Sequence, residues 1–206
     1  MGSVIGRIRD IIGIVGLSYM SMDDPELLKE IVDTFANISY RNAKTLLEAG
    51  FRPVGAHYWE DICYNHGPLI SPVFFRENLL EHYQKMSSLL NSYGCDILSI
   101  DCDGKLDELM PLWIEGGVNT FFPIEIGTWD PDFPAWRNKW GRNIRGIGGF
   151  NKHVLAADRT AVEREIERIK PWIEAGGFIP CPDHRLPPET QWDLVRYYTD
   201  RMHELF

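Results

Sequence analysis

Acidic and polar residues recur in this sequence at one kind of place, just after a short apolar run. Glu60 and Asp61 follow the run 53–58, Asp101 and Asp103 follow 96–100, and Glu125 closes 118–124. Gly148, Gly149, Asn151 and Lys152 follow 144–147, and Cys181, Asp183 and His184 follow 178–179. Asp101-Cys102-Asp103-Gly104 carries the strongest chemical signal. Carboxylates two residues apart on an extended chain project to the same side. Facing each other, they repel unless a cation or a proton lies between them. Such a pair can ligate a divalent ion, or one member can keep a proton and act as a general acid. His184 is a base or a ligand, or else a loop histidine paired with Asp183. Pro180, Pro182, Pro187 and Pro188 around it lower the cost of ordering that loop.

Parallel strands would bring these positions to one face. The apolar runs are short enough for buried strands, and each follows a helix-like segment closed by glycine, at Gly50, Gly94, Gly116-Gly117, Gly141 and Gly176-Gly177. Helix starts are marked by Asp23-Asp24-Pro25 and Ser71-Pro72. Leu27, Leu28, Ile31, Val32 and Phe35 have helical spacing after the first mark, with Leu46 and Leu47 further on. Phe75, Leu79, Met86 and Leu90 follow the second. A third helix is expected over 161–173, and a last one over about 189–206 that buries Trp192, Val195, Tyr198 and Met202. Strand and helix alternate throughout, so the class is α/β with a parallel sheet. No G-x-G-x-x-G or phosphate-binding loop follows a strand, which counts against a nucleotide-binding open sheet.

Alternation along 96–103 sets directions. If Asp101 points to the sheet interior, so do Ile97, Ser99 and Asp103, while Leu98, Ile100 and Cys102 face the helices. Cys102 is therefore read as a packing residue, although it sits between two aspartates. Glu125 inward places Phe122, Ile124 and Ile126 behind it.

The 206 residues suit one domain, and 44% hydrophobic with 25% charged residues is an ordinary soluble composition. The net charge of −9 argues against nucleic-acid and anionic membrane surfaces. Cys63, Cys95, Cys102 and Cys181 show no C-x-x-C spacing, so they read as reduced thiols of a cytoplasmic protein. No apolar run approaches the ~20 residues of a membrane span. The first 17 residues carry Arg7, Arg9 and Asp10, which suits an amphipathic helix better than a secretory leader.

Several segments jointly resemble one family. Glu60-Asp61-x-x-Tyr64-x-x-Gly67-Pro68-x-x-Ser71-Pro72, Asp101-x-Asp103-Gly104, Gly148-Gly149-x-Asn151-Lys152 and Pro180-x-Pro182-Asp183-His184-x-x-Pro187-Pro188-x-Thr190 resemble strand-end loops of the uroporphyrinogen decarboxylase superfamily. The resemblance runs from about Gly2 to the end. It implies a TIM-type (β/α) barrel of eight strands. Only the last five units are countable here, so the chain reads as an incomplete barrel. The whole of 1–206 is then a single domain, with leading helices over 1–50 and five β/α units over 51–206. Its strand edges near 54–58 and 178–179 would be open. Met1 is either a natural start or a truncation point.

The resemblance implies that Glu60, Asp101, Asp103, Glu125 and His184 line one concave face. Catalytic roles fall to Asp101, Asp103, His184 and Glu60. Substrate contacts fall to Asp61, Tyr64, Glu125, Asn151, Lys152, Asp183 and Arg185. True decarboxylases of the family remove acetate carboxylates from a tetrapyrrole without a cofactor. Their loop histidine lies between glycines, where this chain has Asp183 and Arg185 around His184. Corrinoid-dependent methyltransferases of the family bind zinc through His-x-Cys-Gly and a later Cys. Asp101-x-Asp103-Gly104 keeps that spacing with both ligands changed to aspartate, and His184 falls at the later Cys. One divalent metal (zinc or similar) on Asp101, Asp103 and His184 is the corresponding expectation.

Charge separates the branches. A polycarboxylate wants Arg and Lys at its site. Here Glu60, Asp61, Asp101, Asp103, Glu125 and Asp183 face only Lys105, Lys152 and Arg185 in the same loops. The leading expectation is methyl transfer from a small methylamine-like substrate, with a methylcorrinoid on a partner protein. The second is uroporphyrinogen decarboxylation in porphyrin biosynthesis. The third is a non-catalytic fragment, or half of a split barrel whose missing N-terminal third is another partner. The fragment alone is expected to be inactive, and a homodimer is compatible with each reading.

Overall fold

The structure is a computed structural model and describes residues 3–206. Residues 1 and 2, where the leading segment and the resemblance were expected to begin, lie outside the described residues. Contacts divide the chain into two compact units, Met1–Phe121 and Phe122–Phe206.

The first unit opens with helices α1 (Gly6–Asp23) and α2 (Pro25–Glu48). Asp24 caps α2 by accepting from the Leu27 amide at 3.0 Å, just ahead of the proline at the first helical position. Strand β1 (Gly55–Trp59) follows, then a short antiparallel pair, β2 (Cys63–Tyr64) and β3 (Gly67–Pro68). Next come α3 (Pro72–Asn78), α4 (Leu80–Ser92), β4 (Ile97–Asp101), α5 (Met110–Glu115) and the start of β5 (Thr120–Ile124). β1 and β4 pair in parallel, with His57 opposite Ser99 and Trp59 opposite Asp101. Their other faces bury Ala56, Tyr58, Leu98 and Ile100. Behind them Phe75 stacks on Tyr83 at 5.4 Å and meets Trp113 edge-on at 5.7 Å.

The second unit completes β5 and continues with α6 (Ile126–Trp129), α7 (Phe133–Trp140) and β6 (Arg145–Phe150). A 3-10 turn (Lys152–Ala156), α8 (Arg159–Glu174), β7 (Phe178–Pro182) and α9 (Trp192–Leu205) follow. β6 and β7 are parallel. Phe133 lies 5.4 Å from Phe178 and 5.5 Å from Trp172, and Phe150 lies 4.2 Å from Tyr198.

The strands form one five-stranded parallel sheet in the order β1-β4-β5-β6-β7, so β1 and β7 are its outer strands. The fold is α/β, as the alternation of elements implies. Among the described residues no helix is long and apolar enough to cross a membrane.

Three details depart from the sequence reading. The helix expected after Ser71 is broken at Leu79 into α3 and α4, though Phe75, Leu79, Met86 and Leu90 are all buried. Leu27 and Leu46 are exposed while Leu28 and Leu47 face the core, because α2 turns a narrower stripe inward. α9 buries Leu194 and Tyr198, leaves Val195 and Met202 half-buried, and exposes Trp192 by 69%. The stripe that packs is set by the ring contact of Tyr198 with Phe150, which carries Trp192 to the water side.

The two tryptophans test this packing. Trp113→Ala empties a fully buried site and is expected to cost about 3–5 kcal/mol in urea unfolding. Trp192→Ala should change stability by less than ~0.5 kcal/mol.

Candidate active site

The acids at the strand ends fall into two kinds: sealed and open. Glu60, just after β1, is fully buried. Its Oε1 accepts from the Val4 amide at 2.6 Å and the Tyr83 hydroxyl at 2.7 Å. Its Oε2 accepts from the amides of Ile5 at 3.0 Å and Gly6 at 2.7 Å. These amides open α1, where helix N–H groups lack internal partners and the dipole favours an anion. Burial pushes the Glu60 carboxyl up, against the pull of Tyr83 and the three amides. Burial and the neighbouring Glu60 push the Tyr83 phenol well up. Gly6 is required here, since a Cβ would run into the backbone of Trp59 and Glu60. Glu60 therefore holds α1 against β1, and this corrects its expected place among the catalytic acids. The four donors to its carboxylate are protein groups.

Asp61 sits in the left-handed region at φ 44°, which Asp tolerates better than most residues. Its Oδ2 accepts from Trp59 Nε1 at 2.6 Å and its Oδ1 from the Asp103 amide at 3.2 Å. Arg9 donates to the Asp61 carbonyl at 2.5 Å, and its guanidinium lies 3.9 Å from the Asp61 carboxylate. The ladder runs on past β1 and β4, with the Glu60 amide on the Asp101 carbonyl at 2.8 Å. Asp61, Asp101 and Asp103 can each bring one carboxylate oxygen within 4.8 Å of the others. Gly104 closes the motif with φ 86°, and a Cβ there would meet the Tyr64 backbone at 2.9 Å. Tyr64 thus packs its backbone on the acidic loop and leaves its side chain exposed. Cys102 is fully buried, and burial, with Cys63 beside it, pushes its thiol well up. It is a packing residue rather than a nucleophile.

In the second unit Asp183 is the sealed acid. It accepts from the amides of Gly127 at 2.5 Å and Lys152 at 3.0 Å, and Lys152 Nζ lies 3.4 Å away. Asn151 accepts from the His153 amide at 3.0 Å and so caps the 3-10 turn. A Cβ on Gly127 would meet Asn151 Oδ1 at 2.9 Å and Asp183 Oδ2 at 3.1 Å. Asn151, Lys152 and Asp183 are therefore gathered into one structural cluster. Glu125 is buried and accepts from Thr128 Oγ1 at 3.1 Å. His184 is half-buried and Arg185 exposed on the loop after β7. Asp101 and Asp103 belong to the first unit, Glu125 and His184 to the second.

Three contributors escaped the sequence reading. Glu165 accepts from the Asn151 amide at 2.7 Å, and Arg168 pairs with Glu165 while donating to the Gly149 carbonyl. Neither lies near a strand end in sequence. His57 does lie on β1, where strand alternation alone places it beside Trp59 and across from Ser99. Its ring contacts Ser99 Oγ at 2.8 Å through Nδ1 and Asp101 Oδ2 at 3.3 Å through Nε2.

Residues 10–205 match the uroporphyrinogen decarboxylase (URO-D) family. The chain belongs to this family. No curated protein matches it. Among solved structures it is similar to a methyltransferase from Methanosarcina mazei, with a TM-score of 0.70 and 18% sequence identity over 98% of this chain. It spans 57% of that chain's length. At this identity the likeness concerns the fold. The family match covers all the strand-end acids, both sealed and open.

The two kinds of acid should separate on mutation. Glu60→Ala strands three amides and a tyrosine hydroxyl in the interior, and Asp183→Ala strands the Lys152 ammonium. Each is expected to lower unfolding free energy by about 3 kcal/mol or more in urea titrations. Asp103→Ala should lower it by less than ~1 kcal/mol.

Proposed function

We propose that this family member transfers a methyl group from a small neutral or cationic donor, with a methylcorrinoid on a partner protein in the transfer chain. The observation that carries this reading is the open cluster of Asp61, Asp101 and Asp103, whose carboxylate oxygens lie within 4.8 Å of one another. Such a cluster repels a polycarboxylate and attracts a cation or a cationic substrate. The Arg9 guanidinium beside Asp61 is engaged with the Asp61 carbonyl and with Asp10. Likeness in fold to a methyltransferase supports the same reading.

Asp101 and Asp103 would hold one divalent cation. The donor set on the first unit fits, being all oxygen and closely spaced, and it favours zinc, manganese or iron over thiophilic ions. When bound, the ion polarises a substrate heteroatom. Asp61 is held by Trp59 and the Asp103 amide and keeps the acidic loop in shape. Tyr64, exposed beside Gly104, would touch substrate. Transfer would break the bond from the methyl carbon to the nitrogen of an ammonium donor and form one from that carbon to the reduced corrinoid of the partner protein, leaving the electron pair on nitrogen as a neutral amine.

The remaining barrel units are part of this reading. β1 and β7 are outer strands, and Phe51, Val54 and Ile179 are exposed beside them. A cavity of about 610 Å³ beside β1 is lined by Phe35, Leu46, Phe51 and Leu90 among others. We propose that further β/α units, the missing N-terminal third, cover these surfaces. The spanned 57% of the methyltransferase chain leaves length for them.

The test, on the protein together with its remaining barrel units, is formation of methylcorrinoid from a reduced corrinoid and a panel of methylated amines. Methyl transfer is expected, with a rate at least ~100-fold lower in Asp103→Ala, and the metal content of that variant should fall. Carbon dioxide release from uroporphyrinogen without methyl transfer would establish decarboxylation instead. Equal metal content in Asp103→Ala and the unchanged protein would remove the metal from the reading.

A further inference from the structure

His57 is a strand residue with both ring nitrogens engaged, although it lies outside every strand-end motif. The parallel register sets it opposite Ser99, one pair before Trp59 and Asp101. Ser99 Oγ donates its one proton to the Ala56 carbonyl at 3.1 Å. Ser99 Oγ also contacts His57 Nδ1 at 2.8 Å. That fixes the ring's orientation. It also aims Nε2 at Asp101 Oδ2, 3.3 Å away. A bare nitrogen lone pair facing a carboxylate is repulsive, so a proton lies on that line.

The chain of contacts is Ala56 carbonyl, Ser99 hydroxyl, His57 ring and Asp101 carboxylate. Its first two members are buried, whereas the His57 side chain is 50% exposed and that of Asp101 20%. The rigid end of the chain is thus in the sheet and the acting end at the surface.

We propose that His57 is the positioning residue of the Asp101 carboxylate. It ties down Oδ2 and so selects Oδ1 as the oxygen with which Asp101 meets a cation or a substrate donor. This rests on the reading that Asp101 belongs to the reactive cluster. The same division of labour between a ligand and the group that orients it is general in metal sites. Trp59, on the same face, does for Asp61 what His57 does for Asp101: its Nε1–H donates to one carboxylate oxygen at 2.6 Å. Two ring donors on β1 therefore orient two acids of the cluster.

The experiment has two arms on the same protein. In the first, zinc affinity is measured by competition with a chromophoric chelator. His57→Phe is expected to weaken zinc binding about 10–100-fold, while His57→Gln, whose amide nitrogen can reach Asp101, recovers most of it. Equal affinity in the unchanged protein and His57→Phe overturns the proposal. In the second arm, nitrogen-15 NMR of the His57 ring in the unchanged protein reads which nitrogens carry protons. A proton on Nε2, coupled to Asp101, is expected. An unprotonated Nε2 overturns the proposal whatever the zinc result. Failure of the unchanged protein to bind zinc, with the expected ring signals present, rejects the metal reading and leaves His57 as the group that orients Asp101 towards substrate.

Discussion

Burying a carboxylate requires that every oxygen find a donor, and the architecture around the strand ends follows from that requirement. Glu60 and Asp183 are both fully buried. Each would cost several kcal/mol if left unpaired. Glu60 is met by the opening amides of α1 and by Tyr83. Asp183 is met by the Gly127 and Lys152 amides and the Lys152 ammonium. Each carboxylate therefore helps to fix a segment: the leading helix in the first unit, and the turns after β5 and β6 in the second.

Fixing those segments decides which acids remain for chemistry. With Glu60 drawn under α1, the neighbouring residue Asp61 turns outward at φ 44° and joins Asp101 and Asp103. The cluster is thus a consequence of the clamp beside it. Two of its members meet ring nitrogens from β1, Asp61 that of Trp59 and Asp101 that of His57, and Asp61 also accepts from the Asp103 amide. The acids of the family's strand-end loops serve two purposes here, one in the interior and one at the surface.

Much of this was legible in the sequence because the signals are local. Gly50, Gly94 and Gly141 end helices, and Asp24 and Ser71 accept from amides three residues on, so element order followed directly. Period-two alternation placed Cys102 with Leu98 and Ile100 in the interior. The role of Glu60 was illegible because its donors are 54 to 56 residues away on one side and 23 on the other. Nothing in Glu60-Asp61 says which of two adjacent acids will be sealed. His57 lies inside a strand, where no local signal marks a residue that will meet an acid 44 positions away. Trp192 was misassigned because large size favours burial, yet Tyr198 and Leu194 set the packed stripe of α9.

The central claim is that the strand-end acids divide into sealed clamps and one open, cation-seeking cluster. Anomalous diffraction from crystals grown with manganese or zinc tests it most directly. The account predicts a peak within about 2.0–2.2 Å of carboxylate oxygens of Asp101 and Asp103, and none at Glu60 or Asp183. A peak on Glu60 or Asp183, or none near Asp101 and Asp103 at saturating metal, would contradict it.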